Sequence, residues 1–307
     1  MTFGPYLSGY YDIERQLPEY LWQKACDFFR KEESEKNSIS TIEALEERRK
    51  RIYKHYVAAI GGLPKERTPL NPICTGTLKK DGYMIEKIIF QSMPSIYVTS
   101  NLYIPNGLKG PVPGVLFLCG HSRDAKASPV YQRVCLDLVA NGFVVLAVDP
   151  PGQGERMGYY DPVTKEERVR WGTTEHSYVG HQCAYTGANI ARYFIWDAMR
   201  GIDYLMSRGE VKGDSIGVTG NSGGGTQTSY LMMIDERLKA AVPCTYITSR
   251  EEYMKTGQAH DAEQNIYGAI KAGLNYDDFI LSFAPKPALI GAVDSDFFCI
   301  EGTIASY

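Results

Sequence analysis

Apolar positions in the first 70 residues recur at helical spacing. Leu21, Trp22, Ala25, Phe28 and Phe29 form one stripe, and Ile42, Leu45, Ile52, Tyr56, Val57 and Ile60 form another. Thr41, followed by Glu43, Glu46 and Glu47, reads as a helix start, and Gly61-Gly62 with Pro64 as a stop. The pattern predicts a helical N-terminal extension over 1–70, packed on a main domain over 71–307. The period then changes. Residues 83–90 and 95–104 are β-rich with Met93-Pro94 between them, which predicts a hairpin. Val115-Leu116-Phe117-Leu118-Cys119 is a continuous apolar run of the kind found in buried parallel strands, and Gly120-His121-Ser122 ends it. A helix is predicted over 131–141, closed by Gly142, and a second buried strand over 143–148, ending in Asp149-Pro150-Pro151-Gly152-Gln153-Gly154-Glu155-Arg156. Residues 157–185 are polar and aromatic without clean periodicity and read as a loop over the sheet edge. Residues 190–206 form a strongly amphipathic helix whose Tyr193, Phe194, Trp196 and Met199 suit a core rather than a cofactor site. Strands follow at 215–219 and 238–246, an irregular stretch and candidate lid at 247–275, and a last strand at 287–293. Strands alternating with helices imply an α/β fold, a mostly parallel doubly wound sheet with helices on both faces.

Composition narrows the class. The chain has 307 residues, 44% hydrophobic content and a net charge of -3. That suits one large or two modest globular domains, and the near balance of charge argues against nucleic acid as a partner. No apolar run reaches the roughly 18 residues a membrane span needs. The start, Met1-Thr2-Phe3-Gly4-Pro5, has neither a basic region nor an apolar core, so a cytoplasmic location is expected. The cysteines at 26, 74, 119, 135, 183, 244 and 299 are odd in number and form no C-x-x-C pair, which fits reduced thiols. Cys119, Cys244 and Cys299 read as buried filler. No His/Cys/Asp cluster has zinc-site spacing along the chain, so no metal is expected.

The most informative stretch is Ser215-Ile216-Gly217-Val218-Thr219-Gly220-Asn221-Ser222-Gly223-Gly224-Gly225. A β-branched run enters a Gly-x-Ser-x-Gly pentad, and a helix-capable segment, 226–234, leaves it. Strand, sharp turn and helix with a serine at the apex describe a nucleophile elbow. A phosphate loop would want Lys-Ser/Thr after the glycines, and Thr226-Gln227-Thr228 follows instead.

A serine nucleophile needs a base, a carboxylate to orient the base, and two N–H donors for the oxyanion. Chain order places the donors at Gly223 and at His121, or Ser122 beside it. Asp294 and Asp296 stand where the acid is expected. Histidines occur at 55, 121, 176, 181 and 260, and none follows Asp296. His121 suits the orientation of a loop or substrate, His176 and His181 suit surface or structural roles, and His260 is a substitute base out of the usual order.

Several of these segments resemble the acetyl xylan esterase-like branch of the α/β-hydrolases. They are Gly120-His121-Ser122 with Tyr131-Gln132, the Asp149 to Arg156 motif, Glu175-His176-Ser177-Tyr178 and Ala191-Arg192-Tyr193-Phe194-Ile195-Trp196-Asp197. Gly220-Asn221-Ser222-Gly223-Gly224-Gly225-Thr226, Asp261-Ala262-Glu263-Gln264-Asn265 and Asp296-Phe297-Phe298-Cys299-Ile300-Glu301-Gly302 complete the set. The resemblance implies an α/β-hydrolase fold and cofactor-free hydrolysis of carboxylic esters, often acetyl groups on carbohydrates. It implies Ser222 as nucleophile and Asp296, rather than Asp294, as acid. The family's histidine has no counterpart, which implies a chain cut short before it, with the C-terminal helix and strand missing, weak turnover, and an exposed edge consistent with a homo-oligomer. The expected partner is a small-molecule or carbohydrate ester. A non-catalytic binding protein and a serine peptidase of the same fold are the alternatives.

Overall fold

The computed structural model describes residues 13–307. Two helices open it, α1 (Ile13–Ser38) and α2 (Ile42–Ala59). The Thr41 hydroxyl accepts from the Ala44 amide at 3.1 Å, which caps α2 as the sequence predicts. Gly61 ends it at a φ of +82°, where an added Cβ would lie 2.7 Å from the Gly187 carbonyl. Ile52, Tyr56 and Ile60 are buried in the same apolar cluster as the central sheet.

The sheet begins with β1 (Ile73–Lys79), β2 (Tyr83–Met93) and β3 (Ile96–Pro105), which pair antiparallel. The 83–104 hairpin is as predicted, whereas β1 was not foreseen. Then come β4 (Val112–Leu118), α3 (Pro129–Ala140) and β5 (Val144–Val148). Residues 157–185, expected as a loop, instead contain a small ribbon, β6 (Tyr160–Asp161) and β7 (Glu166–Glu167), and a helix, α4 (Thr173–Tyr185). Next are α5 (Ala191–Met206), β8 (Val211–Asn221), α6 (Gly223–Ile234) and β9 (Leu238–Cys244). The strand order is β1-β2-β3-β5-β4-β8-β9, with β5, β4, β8 and β9 mutually parallel.

Alternation along these strands decides which helix each side chain meets. Leu116, Leu118, Leu146 and Val148 point to α5 and α6, joining Ala198, Ile202, Leu205 and Leu231. Val115, Phe117, Val145 and Ala147 point the other way, to Tyr131, Cys135 and Val139 of α3. A parallel sheet covered on both faces has no polar side, which is why the run 115–119 lacks alternation.

The 247–275 stretch, expected to be irregular, contains α7 (Arg250–Lys255) and α8 (Ala269–Ala272). Its Ile247, Tyr253, Ile266 and Leu274 are buried in the main core, so it is rooted there. After α9 (Asp277–Phe283), the expected strand at 287–293 is only partly formed. Ala288 and Gly291 make isolated parallel bridges to Ala241 and Cys244, while Leu289 and Val293 stay exposed. Pro285 and Pro287 lack N–H groups, which removes ladder donors at its start. A final helix, α10 (Ile300–Ser306), packs on α7. Among the described residues no helix is long and apolar enough to cross a membrane.

Candidate active site

Ser222 sits at the junction of β8 and α6 with a φ of 55° and a ψ of -117°. A non-glycine residue held there stores strain of about 1–3 kcal/mol, so the surroundings must fix it. Its amide donates to the Cys244 carbonyl and to the Thr245 hydroxyl, both at 2.9 Å, and its carbonyl accepts from the Thr226 amide at 2.9 Å. The glycines around it are required by contact. A Cβ on Gly220 would lie 2.4 Å from the Leu118 carbonyl, one on Gly224 2.0 Å from the same oxygen, and one on Gly225 2.3 Å from the Cys244 carbonyl. The pentad is thus a tight strand-to-helix bend, and Ser222 remains partly exposed at its apex.

The loop after β4 lies against this bend. A Cβ on Gly120 would be 2.2 Å from the Asn221 carbonyl, and one on Gly223 would be 2.9 Å from His121 Nε2. The His121 ring therefore covers the first turn of α6. Buried Gln153 holds the loop, its Nε2 donating to the carbonyls of Gly120 and Ser122, each at 2.8 Å. Gln153 in turn is held by the 149–156 motif. Buried Asp149 accepts from the Thr99 hydroxyl at 2.6 Å and from the Lys126 amide at 3.0 Å, and it ion-pairs with the Lys126 ammonium. A Cβ on Gly154 would strike the Asp149 carboxylate at 2.5 Å.

The structure thus brings together Ser222, Gly223 and His121. The other expected residues make contacts of their own. Asp296 is half-buried and accepts from the Phe298 amide at 3.2 Å, while Asp294 is exposed. His260 stacks on Tyr253 with ring centroids 3.8 Å apart, and its Nε2 meets the Tyr276 hydroxyl at 2.8 Å. Burial, reinforced by the Arg250 charge, pushes its pKa down to about 3. It lines a cavity of about 720 Å³ between α1 and residues 250–271, with Leu21 and Tyr253. Among the described residues, neither Asp296 nor His260 is hydrogen-bonded to Ser222.

One residue that chain order gave no role proves central. Glu263, 1% exposed, lies between two imidazoles. Its Oε1 is 2.9 Å from His121 Nε2, and its Oε2 is 3.2 Å from His176 Nδ1. His176, also 1% exposed, donates from Nε2 to the Pro151 carbonyl at 2.8 Å. Burial alone would raise the Glu263 pKa, but the His176 and His121 charges outweigh it and hold the carboxyl well below the usual range. Burial alone would lower the His176 pKa, but Glu263 and the Pro151 carbonyl outweigh it and raise it. His176 is thus fully buried, rather than part of a surface loop. His181 is exposed. All seven cysteines are unpaired; Cys119 is buried, whereas Cys244 and Cys299 are half-buried.

Comparisons with known proteins agree with this architecture. A family model described as an Abhydrolase family matches residues 31–304. YtaP of Bacillus subtilis (strain 168), described as a candidate hydrolase, is 27% identical over 217 residues, which is 64% of this chain and 62% of that protein. The chain thus spans less than two thirds of that relative. A candidate acetyl xylan esterase from Bacteroides fragilis NCTC 9343 superposes with a TM-score of 0.69 at 19% identity, covering 82% of this chain and 68% of that one. A methylesterase gives a TM-score of 0.69 at 21% identity, over 89% of this chain and 56% of that one.

Proposed function

The chain belongs to the Abhydrolase family, and on that premise we propose that it is a serine carboxylic ester hydrolase in which Ser222 attacks the ester carbonyl. The observation that carries this reading is the forced φ of 55° at Ser222, between a strand and a helix packed too closely for any Cβ at Gly220 or Gly224. That geometry presents a hydroxyl at a helix N-terminus and is costly to keep without a use.

In the mechanism, Ser222 Oγ adds to the carbonyl and the oxyanion is held by the Gly223 and His121 amides. Collapse expels the alcohol, which takes up the proton lost from Ser222 Oγ, and leaves an acyl-serine; water then adds to it, releasing the carboxylic acid and restoring the Ser222 hydroxyl. Asp296 is the acid that would orient an imidazole base. No histidine hydrogen-bonds to Ser222 among the described residues, since His121 and His176 are engaged by Glu263 and His260 by Tyr276. Turnover is therefore expected to lie several orders of magnitude below that of a complete triad, with oxyanion and binding contributions remaining. The substrate class is a small or carbohydrate-borne ester, with acetyl as the favoured acyl group on the strength of the sequence resemblance; the superposed proteins include a candidate acetyl xylan esterase and a methylesterase.

Hydrolysis of an aryl acetate by the full chain, compared with Ser222→Ala, tests this. The wild type should react faster and should be labelled at Ser222 by a fluorophosphonate, seen by mass spectrometry. Equal rates and no label at Ser222 would leave a binding protein of the same fold. Cleavage of peptides but not esters would make it a peptidase.

A further inference from the structure

Along the chain, His121, His176 and Glu263 are too far apart to read as a metal motif. The fold nevertheless brings them to one point, from the loop after β4, from α4, and from the segment after α7. We propose that His121 Nε2, His176 Nδ1 and the Glu263 carboxylate form a binding site for a divalent first-row transition cation of the zinc type, beside the Ser222 bend.

The three donor groups have ligand atoms within 4.8 Å of one another. Two separations are shorter, 2.9 Å from His121 Nε2 to Glu263 Oε1 and 3.2 Å from His176 Nδ1 to Glu263 Oε2. Donors around a tetrahedral zinc are about 3.3 Å apart, given bonds of about 2.0–2.1 Å. Little movement would close the site. Each carboxylate oxygen already faces one imidazole, and each imidazole presents the correct nitrogen. The Pro151 carbonyl can only accept, so His176 Nε2 carries the proton and Nδ1 is directed at Glu263. His121 Nδ1 lies 3.6 Å from the Asp261 carboxylate, too long for a hydrogen bond, and its Nε2 faces Glu263. For His176, an outer N–H held by a carbonyl is the usual second layer of a histidine metal site.

A second observation points to a ligand. His176 Nδ1 and Glu263 Oε2, each on a side chain 1% exposed, stand 3.2 Å apart as an ion-pair contact, but neither makes a well-directed hydrogen bond. Buried polar atoms are ordinarily satisfied by such bonds. A cation held between the two side chains would satisfy both. Two imidazoles, each losing a proton from its inward nitrogen where it carries one as the cation enters, and a carboxylate suit zinc, cobalt or nickel rather than calcium or magnesium. Asp261, 29% exposed at its side chain, supplies a further carboxylate beside His121. A cation there would fix the His121 ring against Gly223, and with it the loop whose amide is the proposed oxyanion donor.

The test reads metal rather than turnover, so its outcome is independent of the ester reading. The full untagged chain, stripped with a chelator, is titrated with zinc by calorimetry. One equivalent should bind at micromolar affinity or tighter. Glu263→Gln and His176→Gln should each weaken binding at least ~100-fold, while His181→Gln, an exposed histidine on the same helix, should not. X-ray absorption at the zinc edge of the wild-type complex should show imidazole and oxygen donors at about 2.0–2.1 Å and no sulfur at about 2.3 Å. That measurement decides alone if a variant fails to fold. Absence of binding by the wild type, equal binding by the Glu263 and His176 variants, or a sulfur shell from the cysteines would overturn the proposal and leave a proton-bridged triad.

Discussion

At Ser222 the backbone conformation and the proposed chemistry make opposing demands. A φ of 55° favours glycine, yet a nucleophile needs the hydroxyl. Ser222→Gly should therefore unfold at higher urea than Ser222→Ala, by about 1 kcal/mol, because only alanine keeps the Cβ in an unfavourable region. Neither should acylate. An alanine variant at least as stable as the glycine variant would show that the bend relaxes freely. Gln153 carries a related prediction. It is buried and donates to two carbonyls of the loop that the His121 amide belongs to. Gln153→Leu leaves both carbonyls without that donor and should cost about 2–4 kcal/mol in urea unfolding. As a positioning residue it should lower the acylation rate more than it weakens substrate binding. A purely structural role would change stability alone.

At the level of elements, legibility followed burial. The run 115–119 and the helix at 190–206 were readable because each has one consistent environment, two covered faces or one apolar stripe. β1 was not, because its residues are mostly exposed and carry no alternation. Helix α4 was hidden because glycine, serine and tyrosine interrupt its stripe while only Glu175, His176 and Cys183 are buried. The 247–275 stretch looked irregular because its helices are short and its burial is piecemeal. It also carries a pH dependence. His260 is half-buried, and its pKa is lowered from 6.5 to about 3, which favours the neutral ring. A depressed pKa gives stability that is full above pH 6.5 and is lost as pH falls from there toward 3, while the unfolded chain takes up the proton. His260→Gln removes that titration. The stability advantage of the wild type over this variant should shrink by up to about 1.4 kcal/mol per pH unit below pH 6, less where water reaches the ring. Chemical unfolding at several pH values measures it, and a constant difference would show that His260 is protonated within the fold.

For the whole molecule, the pentad was legible locally, but the partners of His121 were not. They arrive from segments 55 and 142 residues away, and no local period records such convergence. The N-terminal helices pose the same question at larger scale, since a stripe of apolar residues does not say how firmly it is bound. The structure answers with buried charge. Arg48, 3% exposed, donates to the Asp278 carboxylate at 3.0 Å through two nitrogens, to Gly273 at 2.7 Å, and to Glu35 at 2.9 Å. Tyr56 packs on Tyr230 and Phe279, with ring centroids 5.2 and 5.7 Å away. Helix α2 thus touches the helix that carries the Ser222 bend. Arg48→Ala should cost about 3 kcal/mol, because it removes a buried guanidinium that bridges Asp278, Gly273 and Glu35 and leaves buried Asp278 with Lys36 as its remaining nearby positive charge. If the helices and the sheet are one cooperative unit, that loss must appear everywhere at once. Trp22 reports on α1 and Trp196 on the core beneath α5, so variants retaining one or the other as sole tryptophan give separate probes. In each variant the fluorescence midpoint should coincide with that of far-UV circular dichroism on the same protein, and Arg48→Ala should lower both probes together. An earlier transition at Trp22 would mean that the helices detach first and the sheet stands without them.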